Sequence, residues 1–442
     1  MPDLGERPSQ FARDPLIALL LLPLAATLAS AGDRTVPPVV ELARAAPPEF
    51  FADAVVRLIR SGQIPQRDIQ IDLLEEAFAV AADARESVRL VGLPDLPPDT
   101  REIYRHKAGS LGLDALSLRS RILREMVTLD RAKARAMFES IARPRLEPRP
   151  CSDPFIADVA AYYDAAAVIA QSAYSDREKS SEQHVQFLTA LIAGAQSPNE
   201  IAAYVRSLQS IALTGSELSL LAGAIAAKLE SIAPDYRPFA LSLDALQSEI
   251  ADFHIGGAFR TYVVNQLKAA RCAPDLALGL DQPFFEDDVK PSKRMDSYAI
   301  AQTYFDTDIG RQIGGGLFAY RAAEADRKNL LAGLLRDFAS WKPPGASVDV
   351  LHQRATVLRA MIEFTPRGED RDRLLKLAAE FLQSSPAERD APAEWLLEAR
   401  MLCEQSGPDA PKLIAAYQAS GSVSLSLYAS LGYFGDSSGI SK

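Results

Sequence analysis

The chain is poor in the residues that most often carry chemistry. Its 442 residues include only three cysteines, four histidines and two tryptophans. Cys151, Cys272 and Cys403 lie more than a hundred residues apart, so CxxC and CxxH spacings are absent and no zinc site is indicated. His106, His184, His254 and His352 form no H-E-x-x-H arrangement. There is no basic tract beyond scattered pairs, and the formal net charge is −10. An acidic surface keeps a protein soluble and disfavours non-specific binding to nucleic acid or anionic lipid. Nucleic acid is therefore not an expected partner. Alternating strand patterns bounded by turn signals are almost missing as well.

Charge is also missing from one long stretch. Between Asp14 and Asp33 run 18 uncharged residues, Pro15 to Gly32, ending in Ala29-Ser30-Ala31. A secretory signal needs a basic n-region, an apolar h-region of roughly 7–15 residues and a small-residue cleavage site. Leu16 to Leu28 supplies the h-region and Ala29-Ser30-Ala31 the site. Arg7 and Arg13 are offset by Asp3, Glu6 and Asp14, which makes a poor n-region. The reading adopted is a cleaved export signal over residues 1–31, cut after Ala31, placing the protein in the periplasm or outside the cell. The alternatives are a membrane anchor formed by residues 15–32, at the short limit for about 30 Å of hydrocarbon, and a buried helix. Loss of residues 1–31 removes three acids and two bases, so −10 becomes −9. No stable membrane insertion is expected after cleavage.

What the chain has in abundance is helix signals. Ser197-Pro-Asn-Glu200 and Ser385-Pro-Ala-Glu388 read as capping boxes with proline at the first helical position. Asp99-Thr-Arg-Glu102, Ser175-Asp-Arg-Glu178 and Thr214-Gly-Ser-Glu217 are further candidates. In each, the cap oxygen accepts from a free N–H and the Glu reaches back. Apolar residues follow at helical spacing: Ile201, Tyr204, Val205, Leu208 and Ile211, then Leu218, Leu221, Ile225 and Leu229. The expected fold is all-α, built from stacked antiparallel helical hairpins with short loops.

Prolines break the pattern over Pro144 to Pro154, because each lacks an N–H and restricts its predecessor. A second break runs from Cys272 to about Lys293. The expected divisions are a helical domain over 34–145, a middle helical region over 152–271, a C-terminal helical region over 292–434 and a disordered tail over 435–442. Cys151 and Cys272, each beside a loop, are the pair expected if a disulfide forms. The other reading is three small, buried apolar residues.

The second helix of the hairpin formed by Asp114–Val127 and Asp130–Ile141 resembles the B helix of a tetratricopeptide repeat. Ala134 and Phe138 lie four apart, with Pro144 just beyond. In the first helix, Leu118 fits the repeat, whereas Arg121, Ile122 and Glu125 depart from it. No strict 34-residue period recurs, so the resemblance implies a degenerate α-solenoid of TPR/HEAT type. The segment Ala45 to Leu58, with the same hairpin, also resembles uncharacterised exported α-helical proteins of acidobacterial type. That resemblance implies no activity.

Several patterns suggest chemistry and lack a part of it. Gly435-Asp-Ser437-Ser-Gly439 matches the nucleophile elbow G-x-S-x-G, but no strand precedes it and no His follows. Gly314-Gly315-Gly316, near Arg311, lacks the Lys and Ser/Thr of a phosphate loop, leaving a helix break or a close helix crossing. Asp281 and Glu286-Asp287-Asp288, beside Phe284-Phe285, concentrate carboxylates without EF-hand spacing. His254, two residues from Asp252, points away from it on a helix. Arg143, Arg145 and Arg149 read as a solvated linker or a face for an acidic partner. No catalytic, cofactor-binding or metal residue is assigned, and no cofactor is expected. The function expected is an exported, non-enzymatic scaffold or protein-binding module of the cell envelope, partnered by another protein. The alternatives are an enzyme with a site near residues 254–316 and a membrane-anchored structural protein.

Overall fold

A computed structural model of the chain describes residues 36–92, 101–144, 146, 149, 153, 155–268, 308–322 and 327–435. The described residues are mostly helical, 76% helix and 2% strand, as the helix signals and missing strand patterns require. None of these helices is long and apolar enough to cross a membrane.

In chain order the helices are α1 (Pro38–Arg44), α2 (Pro48–Arg60), α3 (Arg67–Val80), α4 (Arg101–Gly109), α5 (Ala115–Leu129) and α6 (Arg131–Glu139). Then come α7 (Ala160–Ser172), α8 (Asp176–Ser180), α9 (Gln183–Ala193), α10 (Pro198–Leu208), α11 (Gly215–Ser231), α12 (Tyr236–Ile250) and α13 (Gly256–Lys268). After residue 307 follow α14 (Asp308–Ala322), α15 (Arg327–Ser340), α16 (Ser347–Phe364), α17 (Glu369–Gln383), α18 (Ala387–Asp390), α19 (Pro392–Ser406), α20 (Ala410–Ala419) and α21 (Val423–Ser430).

The caps explain many of these starts. Asp114 and Asp130 each accept an amide hydrogen bond at 2.9 Å, from Ser117 and Lys133, opening the two helices of the α5–α6 hairpin. Ala134 and Phe138 are buried in that hairpin. The boxes at Ser175, Ser197 and Thr214 form. The one expected at Ser385 does not. Pro386 takes a helical conformation in front of the four-residue α18, and Glu388 instead accepts from the Ser424 hydroxyl. Asp99 lies outside the described residues.

Helix packs on helix in a regular succession: α2 on α5, α5 on α7, α7 on α10 and α10 on α12, with α9, α11 and α13 adjoining one another beside them. The C-terminal helices return to the start of this run. Helix α21 packs on α1 and α2, and α19 packs on α4. A nearly continuous apolar core runs through residues 40–434, and the described residues belong to one compact unit.

Two short strands also form, β1 (Arg89–Gly92) and β2 (Phe155–Asp158). They are antiparallel, with Arg89 opposite Asp158 and Gly92 opposite Phe155. Four residues are too few for a period-two pattern to stand out. The pair joins the α3–α4 connection to the proline-rich break. Gly109 ends α4 against β1, where a Cβ would lie 2.9 Å from the Leu90 carbonyl oxygen.

Candidate functional site

Two features stand out, one a buried ionic cluster and the other an open groove. They lie on opposite sides of α16, the helix that carries both His352 and Arg354.

The cluster begins with Glu394 and Glu398, one turn apart on α19 and therefore on the same face. Both are buried and face His352 on α16. The imidazole Nδ1 lies 2.7 Å from Oε1 of Glu398, and Nε2 lies 2.6 Å from Oε2 of Glu394. Burial alone opposes the imidazolium, but hydrogen bonds to both glutamates outweigh it and push His352 up to about 9. At neutral pH both ring nitrogens therefore carry hydrogen and donate. Tyr104 of α4 stacks on the ring, centroids 4.5 Å apart. Arg359 donates to the Tyr104 hydroxyl and to Thr356 Oγ1, both at 2.9 Å, and lies 3.3 Å from Oε2 of Glu398. Although burial opposes its charge, Arg359 and His352 hold Glu398 below the usual carboxylate range.

Chemically this is a closed clamp. With both nitrogens engaged, His352 has no lone pair with which to take a proton from a bound molecule. Because the two carboxylates sit at opposite ends of the ring, the three groups do not converge on one point. Among the described residues no group of three His, Cys, Asp or Glu side chains is placed to hold a metal ion.

A small pocket borders the clamp where α4, β1 and the start of α19 meet. Glu49, Glu86, Asp114 and Glu394 are the acids of its wall, and Arg85, Arg89 and Arg105 its guanidinium residues. Burial raises both Glu49 and Asp114 above their usual range. Both already have structural partners: Glu49 Oε1 accepts from the Arg85 amide at 2.5 Å and Asp114 caps α5.

The groove lies between α15, α16 and α17, is partly open to solvent and has a volume of about 890 Å³. Leu335 and Phe338 of α15, Val350 of α16, and Leu377 and Phe381 of α17 give it an apolar lining. Arg354 of α16 lies across it. Its guanidinium carbon is 4.4 Å from the Phe338 ring centroid and 5.5 Å from that of Phe381. The guanidinium donates to the carbonyls of Trp341 at 3.1 Å and Phe338 at 3.3 Å. Both carbonyls lie at the C-terminal end of α15, where intrahelical partners run out, and that of Phe338 also accepts from the Trp341 amide at 3.3 Å. Burial lowers the Arg354 pKa. Among the described residues Arg354 has no carboxylate within ion-pair distance, and its buried Nε has no hydrogen-bond partner. Arg373 and Lys376 add two more cations to the lining, and Glu380 is its sole acid.

The residues singled out in the sequence fall elsewhere. His254 is exposed and closes a 3-10 turn in the left-handed region, φ 54°. His184 pairs with Glu217 at 3.0 Å. His106 accepts from the Gly92 amide at 3.0 Å, and burial lowers its pKa. Gly314, Gly315 and Gly316 do not break the chain, because α14 runs through them. Gly316 marks a close crossing, with a Cβ there 2.7 Å from Leu334 Cδ2. Cys403 is buried and unpaired, and burial pushes its thiol up to about 12. Arg143 turns inward to the Leu191 carbonyl and lies 3.9 Å from Glu200, rather than standing in a solvated linker. Arg149 pairs with Asp153 at 2.6 Å. The signal segment, Cys151, Cys272, Arg145, Asp281, the Phe284–Asp288 run and Ser437 lie outside the described residues.

Sequence reasoning missed both features. The Glu394–Glu398 spacing marked a shared helical face, but nothing local pointed it at His352, 42 residues away. Arg354 carries no motif, and its meaning comes from Phe338 and Phe381 on two other helices.

Comparison of the chain with protein-family models, curated proteins and solved structures found no match.

Proposed function

We propose that this chain is an exported, non-enzymatic helical scaffold that binds another protein, and that the α15–α17 groove is its contact surface. The observation carrying this reading is the groove itself, where Leu335, Phe338, Val350, Leu377 and Phe381 lie beside three cations, of which only Lys376 has a carboxylate partner among the described residues. Apolar side chains of a partner segment would fill the lining while its polar groups meet the rim.

The helix succession supports the wider reading. Neighbours that pack each on the next, from α2 to α12, suit a degenerate stack of hairpins of the α-solenoid kind. In such a stack surface residues vary without disturbing the core. The Pro15–Ala31 segment supports export, with cleavage after Ala31.

The test is co-purification from the cells that make the protein, comparing wild type with a Leu377→Asp/Phe381→Asp double variant. Leu220→Asp serves as a control on α11, where Leu220 is exposed. A partner retained by wild type and the control but lost from the double variant supports the reading, provided the variants melt alike. Equal recovery by all three overturns it.

A further inference from the structure

We infer that the α15–α17 groove accepts an extended acidic peptide with apolar side chains, its carboxylates meeting Arg354, Arg373 and Lys376. This rests on the reading of the groove as a protein-binding surface and names the chemistry of the partner.

The charge of the groove opposes that of the whole chain. Its charged lining is three cations against one carboxylate, Glu380, a local excess of two on a chain of net charge −10. Glu380 is itself engaged with Lys376 at 3.9 Å. Both side chains are well exposed, and a pair of that kind is weak and readily exchanged.

Arg354 is the anchor of the argument. Phe338 and Phe381 flank its guanidinium, which is partly withdrawn from water. Two helix-end carbonyls accept two of its hydrogens, and Nε has no acceptor among the described residues. A partly desolvated cation with dipolar partners alone is stabilised when a carboxylate arrives, because an opposite charge is added to the dipoles that already face it.

The apolar lining selects among anions. A free phosphate or a bare carboxylate leaves Leu335, Leu377 and Phe381 uncovered, whereas Phe or Leu side chains beside an acid cover them. Nucleic acid meets the long-range repulsion of the acidic chain. A short peptide brings few charges, placed where the local field is positive.

The direct test is fluorescence anisotropy of the full chain with a labelled hexapeptide probe, Glu-Phe-Leu-Asp-Phe-Glu. Two twins accompany it, one with Lys at every acidic position and one with Ala at every apolar position. The acidic–apolar probe is expected to bind, and to bind more weakly as salt rises. Each twin should bind about tenfold more weakly or worse. Arg373→Glu/Lys376→Glu, a reversal of exposed charges away from the core, should cost the acidic probe about tenfold and favour the Lys twin. Arg354→Gln should cost a similar factor, and the exposed double variant answers the question if Arg354→Gln fails to fold.

Equal binding of the acidic probe and its Lys twin, or no binding of the acidic probe, overturns the inference. If co-purification through Leu377 and Phe381 succeeds while the probe fails, the groove binds protein of another chemistry. If both fail, the protein-binding reading fails too. Groove-dependent self-association in sedimentation, or probe binding that appears only after deletion of residues 281–288, would assign the groove to a second copy or to the chain itself. Either result overturns the proposal.

Discussion

The Tyr428 hydroxyl donates to Oδ2 of Asp53 at 3.1 Å, joining α21 to α2 across 375 residues of chain. Asp53 is fully buried and also binds Arg57 and Arg121, each at 2.6 Å. Burial opposes its charge, but the two guanidinium groups overcome this and hold it below the usual carboxylate range. One carboxylate thereby links α2, α5 and α21.

Asp53→Ala removes the shared carboxylate of Arg57 and Arg121, leaving Arg121 only its bond to the Gly112 carbonyl, and loss of one partner of a buried pair costs roughly 3–5 kcal/mol. Tyr428→Phe removes one hydrogen bond and costs about 1 kcal/mol. Urea unfolding of the two variants should show this order. A loss in Asp53→Ala no larger than in Tyr428→Phe would show that the carboxylate does not organise the junction.

The His352 clamp makes stability depend on pH in a defined direction. The folded-state value is raised from 6.5 to about 9. The contribution of His352 is therefore complete below about pH 6.5 and is lost as pH rises through about 9. The urea midpoint of wild type should fall over that window more steeply than that of His352→Gln, which has no imidazole to titrate. Parallel profiles would contradict the clamp.

Three glycines respond differently to alanine. Gly223 lies inside α11 with nothing within 4 Å of a new Cβ, so Gly223→Ala should stabilise by about 0.5–1 kcal/mol. Gly109→Ala meets a backbone oxygen at 2.9 Å and Gly316→Ala meets a packed leucine at 2.7 Å. Each should destabilise, by roughly 1–3 kcal/mol. Thermal melts of the three variants check the signs.

Cys403 should resist alkylation in the folded chain, because the thiolate is the reactive form and burial pushes the thiol up to about 12. Mass spectrometry after iodoacetamide should find its peptide modified only in denaturant. Modification at the native rate of an exposed thiol would contradict the burial.

The helical class was legible because caps and spacing act locally: Asp114, Asp130, Ser175, Ser197 and Thr214 all start helices where the residue order says they should. Ser385 failed because Pro392 restricts Ala391 and ends the helix at Asp390 after four residues, and Glu388 accepts from Ser424 instead of reaching back. Of the two readings of the glycine run at 314–316, a helix break or a close crossing, the crossing is the one found: the run stays helical and Gly316 meets Leu334 of α15. The clamp and the groove were out of reach for one shared reason. Each joins side chains from different helices, so His352 reads as a lone histidine and Arg354 as a lone arginine until α4, α15, α17 and α19 are in place.

The groove as a protein contact surface is the centre of this account, and site-specific photo-crosslinking tests it most directly. A benzophenone amino acid is placed at Leu377, and separately at Leu220, in cells that make the protein. One discrete protein adduct is expected from position 377 and is expected to be absent from position 220. No adduct from 377, or the same adducts from both positions, would contradict it.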